Sequence, residues 1–89
     1  MCRRVCVFAG RVQGVGFRYT VHNLAIQYNV QGYVHNLEDG RVELVIEGPE
    51  TDMTQLLDAI QDRMGDYIRK VDTTESPATG EFGSFTIRH

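Results

Sequence analysis

Tryptophan is absent from this 89-residue chain, and proline and cysteine occur only twice each. Cys2 and Cys6 are four residues apart. Along a strand that separation is about 13 Å between Cα atoms, past the roughly 7 Å that a disulfide spans, so no cystine staple is expected. Cys6 reads as a small core residue and Cys2 as a terminal thiol. His22, His35 and His89 are scattered without ligand spacing, so neither a metal centre nor a cofactor is expected. Apolar runs are short: none approaches the ~18–20 residues of a membrane span, and the stretch after Met1 is too brief for a secretory signal. Repeats and low-complexity tracts are missing. What remains is one domain over residues 1–89, near the lower end of what folds without staples. It is expected to be soluble, cytoplasmic and monomeric, with no membrane partner.

Acidic residues are missing from the first part of the chain. Residues 1–37 contain Arg3, Arg4, Arg11 and Arg18 and no Asp or Glu, a charge of +4, whereas the remainder carries five basic and twelve acidic residues, a charge of −7. A net-acidic protein that keeps carboxylates out of one segment reserves that segment for something negative. Arg3 and Arg4 read as solvated.

Periodicity divides the rest. Arg3 to Arg11 reads as a strand with apolar residues on both faces, as in a sheet interior. Phe17, Val21, Leu24, Ala25 and Tyr28 form one stripe of an amphipathic helix over 17–28, with Asn29 as a left-handed closing residue. Val30 to Asn36 is a second strand, Leu37-Glu38-Asp39-Gly40 a hairpin turn, and Arg41 to Glu47 a third strand whose Glu43, Val45 and Glu47 face is mostly wet. Met53, Leu56, Leu57, Ile60 and Met64 stripe a second helix over 52–64. A weaker strand over 68–75 and a last one with Phe85 and Ile87 complete the order βαββαβ plus one. That order predicts an α+β, ferredoxin-like sandwich: a mostly antiparallel sheet of four or five strands with two helices on one face. Tyr19, Tyr28, Tyr33 and Tyr67 read as packing residues, and His22 as a packing or surface histidine.

Three glycines fall within Gly10-Arg11-Val12-Gln13-Gly14-Val15-Gly16-Phe17-Arg18, between the first strand and the first helix. Glycine permits positive φ and close approach of a ligand to the backbone. A strand, a glycine-rich turn and a helix start present several N–H groups at the positive end of a helix dipole, which makes an anion site, usually for phosphate. Arg18, in the first helical turn, opposes the macrodipole, and a bound anion compensates it. The first helix is a crossover, so strands one and two run parallel and end at the same edge. The loop and Asn36 therefore meet there, and Arg18 and Asn36 can reach one ligand.

The stretch from Gly10 to Arg18 resembles the first signature of the acylphosphatase family. Gly32-Tyr33-Val34-His35-Asn36-Leu37-Glu38-Asp39-Gly40-Arg41-Val42, continuing to Gly48, resembles the second. Phe8 stands where the family usually has an aliphatic residue and His35 where it often has a basic or amide one; neither position carries chemistry in the family. The resemblance implies hydrolysis of acyl phosphates to a carboxylate and inorganic phosphate. It implies that Gln13, Gly14, Val15, Gly16, Phe17 and Arg18 cradle the phosphate through backbone N–H groups, that Arg18 clamps it, and that Asn36 holds the attacking water. Phosphate and sulfate would then compete with substrate.

An acyl phosphate expels a carboxylate whose conjugate acid has a pKa of about 4, so it leaves without a proton. Phosphoryl transfer runs through a loose transition state that needs positioning and charge stabilisation, and a site without metal ligands, a Ser-His-Asp set or paired carboxylates suffices. The competing class is a binding module, since ferredoxin-like domains also bind RNA through aromatics on the open sheet face. Glu43 and Glu47 on that face and the net negative charge argue against nucleic acid; the alternative to an enzyme is a non-catalytic anion- or nucleic-acid-binding ferredoxin-like module.

Overall fold

Alternation of side chains along the strands decides which face of the sheet the helices cover. In the computed structural model, which describes residues Met1 to His89, the elements are β1 (Cys2–Gly10), α1 (Phe17–Ala25), β2 (Gln31–Asn36), β3 (Val42–Gly48), α2 (Glu50–Met64), a 3-10 turn (Gly65–Tyr67), β4 (Ile68–Pro77) and β5 (Phe85–Arg88). One five-stranded sheet has the order β4-β1-β3-β2-β5. β3 is antiparallel to both β1 and β2, β4 is antiparallel to β1, and β5 is parallel to β2. This is the expected ferredoxin-like α+β plan, extended by β5 at the β2 edge.

Cys6 and Phe8 of β1 pair with Leu44 and Val42 of β3, and Val34 of β2 pairs with Leu44 from the other side. These residues share one face and meet Phe17, Val21 and Leu24 of α1 and Met53, Leu56 and Ile60 of α2 in a single buried cluster. Each large side chain fully buried there contributes about 1.5–3 kcal/mol. No helix is long and apolar enough to cross a membrane.

Four expectations are corrected. First, α1 ends at Ala25, not Tyr28. The next residues close tight i→i−3 turns, with the N–H groups of Gln27 and Tyr28 donating to Leu24 and Ala25. Those turns keep Tyr28 packed against the core and preserve the stripe that suggested a longer helix. Second, Asn29 does not adopt a left-handed conformation, since only glycines have positive φ.

Third, the open face of β3 is not mostly wet: Val45 and Glu47 are buried and Glu43 is half-buried. Glu47 is 3% exposed, because the segment after β4 folds back over it. The N–H groups of Thr79 and Gly80 each donate to its carboxylate at 2.9 Å, and Arg3 Nε does so at 2.8 Å. Burial works to raise the Glu47 pKa, but these donors prevail and hold it at about 2. Fourth, Arg3 and Arg4 are not free in solvent: Arg3 bonds Glu47, Glu81 and Thr79, and Arg4 reaches Glu75 of β4 and Glu50 and Thr54 of α2. β4 runs on to Pro77 as an exposed edge strand, which explains its weak apolar pattern.

Candidate active site

The glycine loop connects the end of β1 to the start of α1. Gly14 and Gly16 have φ of 80° and 75°, and Val15 between them has negative φ. Alternation of this kind turns successive N–H groups toward one side. A Cβ at either glycine would meet nothing within 4 Å, so backbone twist, not crowding, demands glycine there, and the space in front of the loop is open. Gly16 caps α1 without a side-chain hydrogen bond, and the first turn holds no acidic residue. The first N–H groups of a helix have no partner within it, and here no side chain occupies them.

The Gln13 side chain turns away from this concavity. Its Nε2 donates to the carbonyls of Leu37 and Arg41 at 2.9 and 3.0 Å, which ties the loop to the β2–β3 turn. That turn is closed by Leu37 N–H on Arg41 O at 2.8 Å. The Arg41 backbone N–H and guanidinium hold the Asp39 carboxyl below its ordinary range and stiffen the turn.

Asn36 ends β2 with the same parity as Val34, so its side chain lies on the helix-covered face. Its Oδ1 is buried and has no hydrogen-bond partner. Arg18 donates through Nη1 to the carbonyl of Arg88 at 3.0 Å and lies 3.4 Å from His89 Nδ1. Its Nε and Nη2 have no protein acceptor. A cavity of about 290 Å³ is lined by Gly14, Gly16, Arg18 and Asn36, with Val12, Phe17 and Tyr19 completing the wall. The topology thus brings Arg18 and Asn36 together, as expected from parallel β1 and β2. The side chains of Gln13 and Val15 are not part of the wall.

The family model described as Acylphosphatase matches residues 4–87. The chain belongs to the acylphosphatase family. An acylphosphatase of Pasteurella multocida is 37% identical over 90 residues, covering 100% of both chains. A match to an acylphosphatase of Bacillus velezensis reaches 52% identity over 52 residues and spans 58% of each chain. The crystal structure of acylphosphatase from Bacillus subtilis superposes with a TM-score of 0.90 at 33% identity, covering 100% of each chain. The chain is accordingly an acylphosphatase-class hydrolase, acting on the mixed anhydrides of carboxylic and phosphoric acids.

Other residues around this cavity take plain roles. His22 packs with its ring 6.0 Å from that of Phe85, and Arg11 lies over the Tyr67 ring at 5.8 Å. Tyr33 carries the Arg88 guanidinium at 3.6 Å from its centroid. Tyr19 departs from the expected packing role: it is exposed and on the cavity wall. Neither Tyr19 nor the Arg88 carbonyl stands out in the sequence as a site element. The position of Tyr19 beside Arg18 was the available signal; a backbone carbonyl seventy residues away carries none.

Proposed function

We propose that this cavity hydrolyses acyl phosphates by direct attack of an Asn36-held water on a phosphoryl group bound by Arg18 and the backbone N–H groups of residues 13–18, with residues 1–89 acting as one domain. The observation that carries the reading is that Asn36, whose Oδ1 is buried without a partner, lines one cavity together with Arg18 and the two glycines. A buried carbonyl oxygen without a donor costs about 1–3 kcal/mol; a turn of the amide that lets a cavity water donate to it removes that cost and orients the water for attack.

Each remaining step is assigned to a group that is present. The guanidinium fork meets two phosphoryl oxygens, and the N–H groups ahead of α1 meet the third, so charge building up in the transition state falls on fixed donors. The carboxylate departs unprotonated. The proton released by the attacking water passes to a phosphate oxygen of the substrate, so the products are a carboxylate and inorganic phosphate. No carboxylate, imidazole or thiol lines the cavity, and this route needs none, nor a metal or cofactor. Phosphate and sulfate, which present the same oxygens, are competitive inhibitors in this reading.

Steady-state kinetics of Asn36→Ala and Arg18→Ala on acetyl phosphate test it. Asn36→Ala is expected to lower kcat strongly and to change KM far less than Arg18→Ala does, because its contact is to water. A rise in KM alone would move Asn36 from the water to the phosphate.

A further inference from the structure

The four tyrosines have different surroundings. Tyr28 and Tyr67 pack against the core, and Tyr33 lies under Arg88 and beside His35 and Phe82. Tyr19 has no aromatic or cationic partner and is 58% exposed. It nevertheless forms part of the wall of the cavity that holds Arg18 and Asn36. The cavity's other apolar residues, Val12 and Phe17, are almost wholly buried and present only a floor. Gly14, Gly16, Arg18 and Asn36 are the groups for the phosphoryl end. Tyr19 is then the one wall side chain with a free apolar face toward solvent.

We propose that Tyr19 is a specificity residue of this site: its ring receives the acyl group and favours acyl phosphates with a flat, aromatic substituent over those with a methyl group. The inference rests on the placement of the phosphoryl group at Arg18. Tyr19 sits on the first turn of α1, which Gly16 caps, next to Arg18 in the chain. An offset aromatic pair is worth about two- to tenfold in affinity. A methyl group gains little from the same face.

The test compares wild type, Tyr19→Ala, Tyr19→Gln and Tyr19→Phe on benzoyl phosphate and acetyl phosphate, with inorganic phosphate as inhibitor. An exposed position on a helix tolerates all three substitutions, and Ala has the higher helix propensity. The ratio of kcat/KM for benzoyl phosphate to that for acetyl phosphate is expected to fall about two- to tenfold in Tyr19→Ala and Tyr19→Gln. In Tyr19→Phe it should stay within twofold of wild type. The inhibition constant of phosphate should change less than twofold throughout. An unchanged ratio in Tyr19→Ala and Tyr19→Gln, or equal losses on both substrates, overturns the proposal while leaving the phosphate site standing. Absence of competition by phosphate in the wild type would instead overturn the placement at Arg18, and the role of Tyr19 with it.

Discussion

Gln13 offers a measurement that separates building the site from binding at it. Its amide bridges two carbonyls of the β2–β3 turn, Leu37 and Arg41, at 2.9 and 3.0 Å, so the glycine loop and the strand end bearing Asn36 are held in one frame. Gln13→Ala deletes both bonds. A neutral hydrogen bond contributes about 0.5–1.5 kcal/mol net. Both of these are exposed to solvent, and water recovers part of the loss, so the pair is worth about 1 kcal/mol. In a domain of this size that lowers Tm by about 4–8 °C. The effect on turnover should be larger than the effect on stability, since a misplacement of about 1 Å between reacting groups costs on the order of a hundredfold; a fall in kcat/KM of about 10- to 100-fold is expected. Gln13→Glu should be worse on both counts, because an ionised carboxylate cannot donate to carbonyls and repels an incoming anion. Thermal unfolding by circular dichroism and kinetics on acetyl phosphate, run on the same preparations, measure the two effects. A Gln13→Ala protein with lowered Tm and unchanged kcat/KM would confine the side chain to the fold. Unchanged values of both would refute the bridge altogether.

Arg18→Ala should keep the fold and lose about two to three orders of magnitude in kcat/KM, or roughly 3–4 kcal/mol of transition-state stabilisation, with little rescue by Arg18→Lys; a folded variant with half the wild-type turnover would refute the assignment. EDTA should leave activity unchanged, and loss restored by a divalent ion would overturn the metal-independent route. Acyl phosphates should be cleaved much faster than alkyl phosphate monoesters, whose alkoxide needs an acid or a metal to leave; comparable rates would point to an overlooked acid, with His22 the first residue to replace. Glu47 sets an acid limit on stability. Its pKa is about 2 in the fold against an ordinary 4.5, so the unfolded chain takes up the proton first as pH falls, and the stabilisation present above about pH 4.5 is lost progressively toward pH 2. Denaturant unfolding at a series of pH values should show that decline in wild type and a flatter curve in Glu47→Gln.

The parts of the molecule legible in the sequence are those with a local cause. The alternation of Val42, Leu44 and Ile46, the stripe from Phe17 to Ala25 and the glycines at 14 and 16 each specify their conformation through neighbours a few residues away. The meeting of Arg18 with Asn36 follows from the crossover alone, because parallel strands must end at the same edge. Contacts made from afar were not legible. Glu47 reads as a solvent-facing position of an alternating strand, and only donors at Arg3, Thr79 and Gly80 explain its burial. The same return of the chain takes Arg3 out of solvent. At Gln13 the backbone is in the loop that was expected to bind, but the amide is spent on Leu37 and Arg41. Periodicity overruns the end of α1 because the tight turns after Ala25 still return Tyr28 to the core side.

In the order β4-β1-β3-β2-β5, only β2 and β3 are both sheet neighbours and consecutive strands of the chain. Every other pairing closes a loop containing a helix or at least one intervening strand, so most of the loop-closure entropy is lost before the contacts that offset it have formed. Folding should therefore be slow for a protein of this size and should start from the one hairpin that forms locally, the turn from Leu37 to Arg41. That hairpin also carries Asn36 and receives Gln13. If the sheet nucleates there, the nucleating segment is also the one that joins the glycine loop to Asn36, and substitutions in the turn are expected to lower the folding rate measured by stopped-flow refolding as well as turnover.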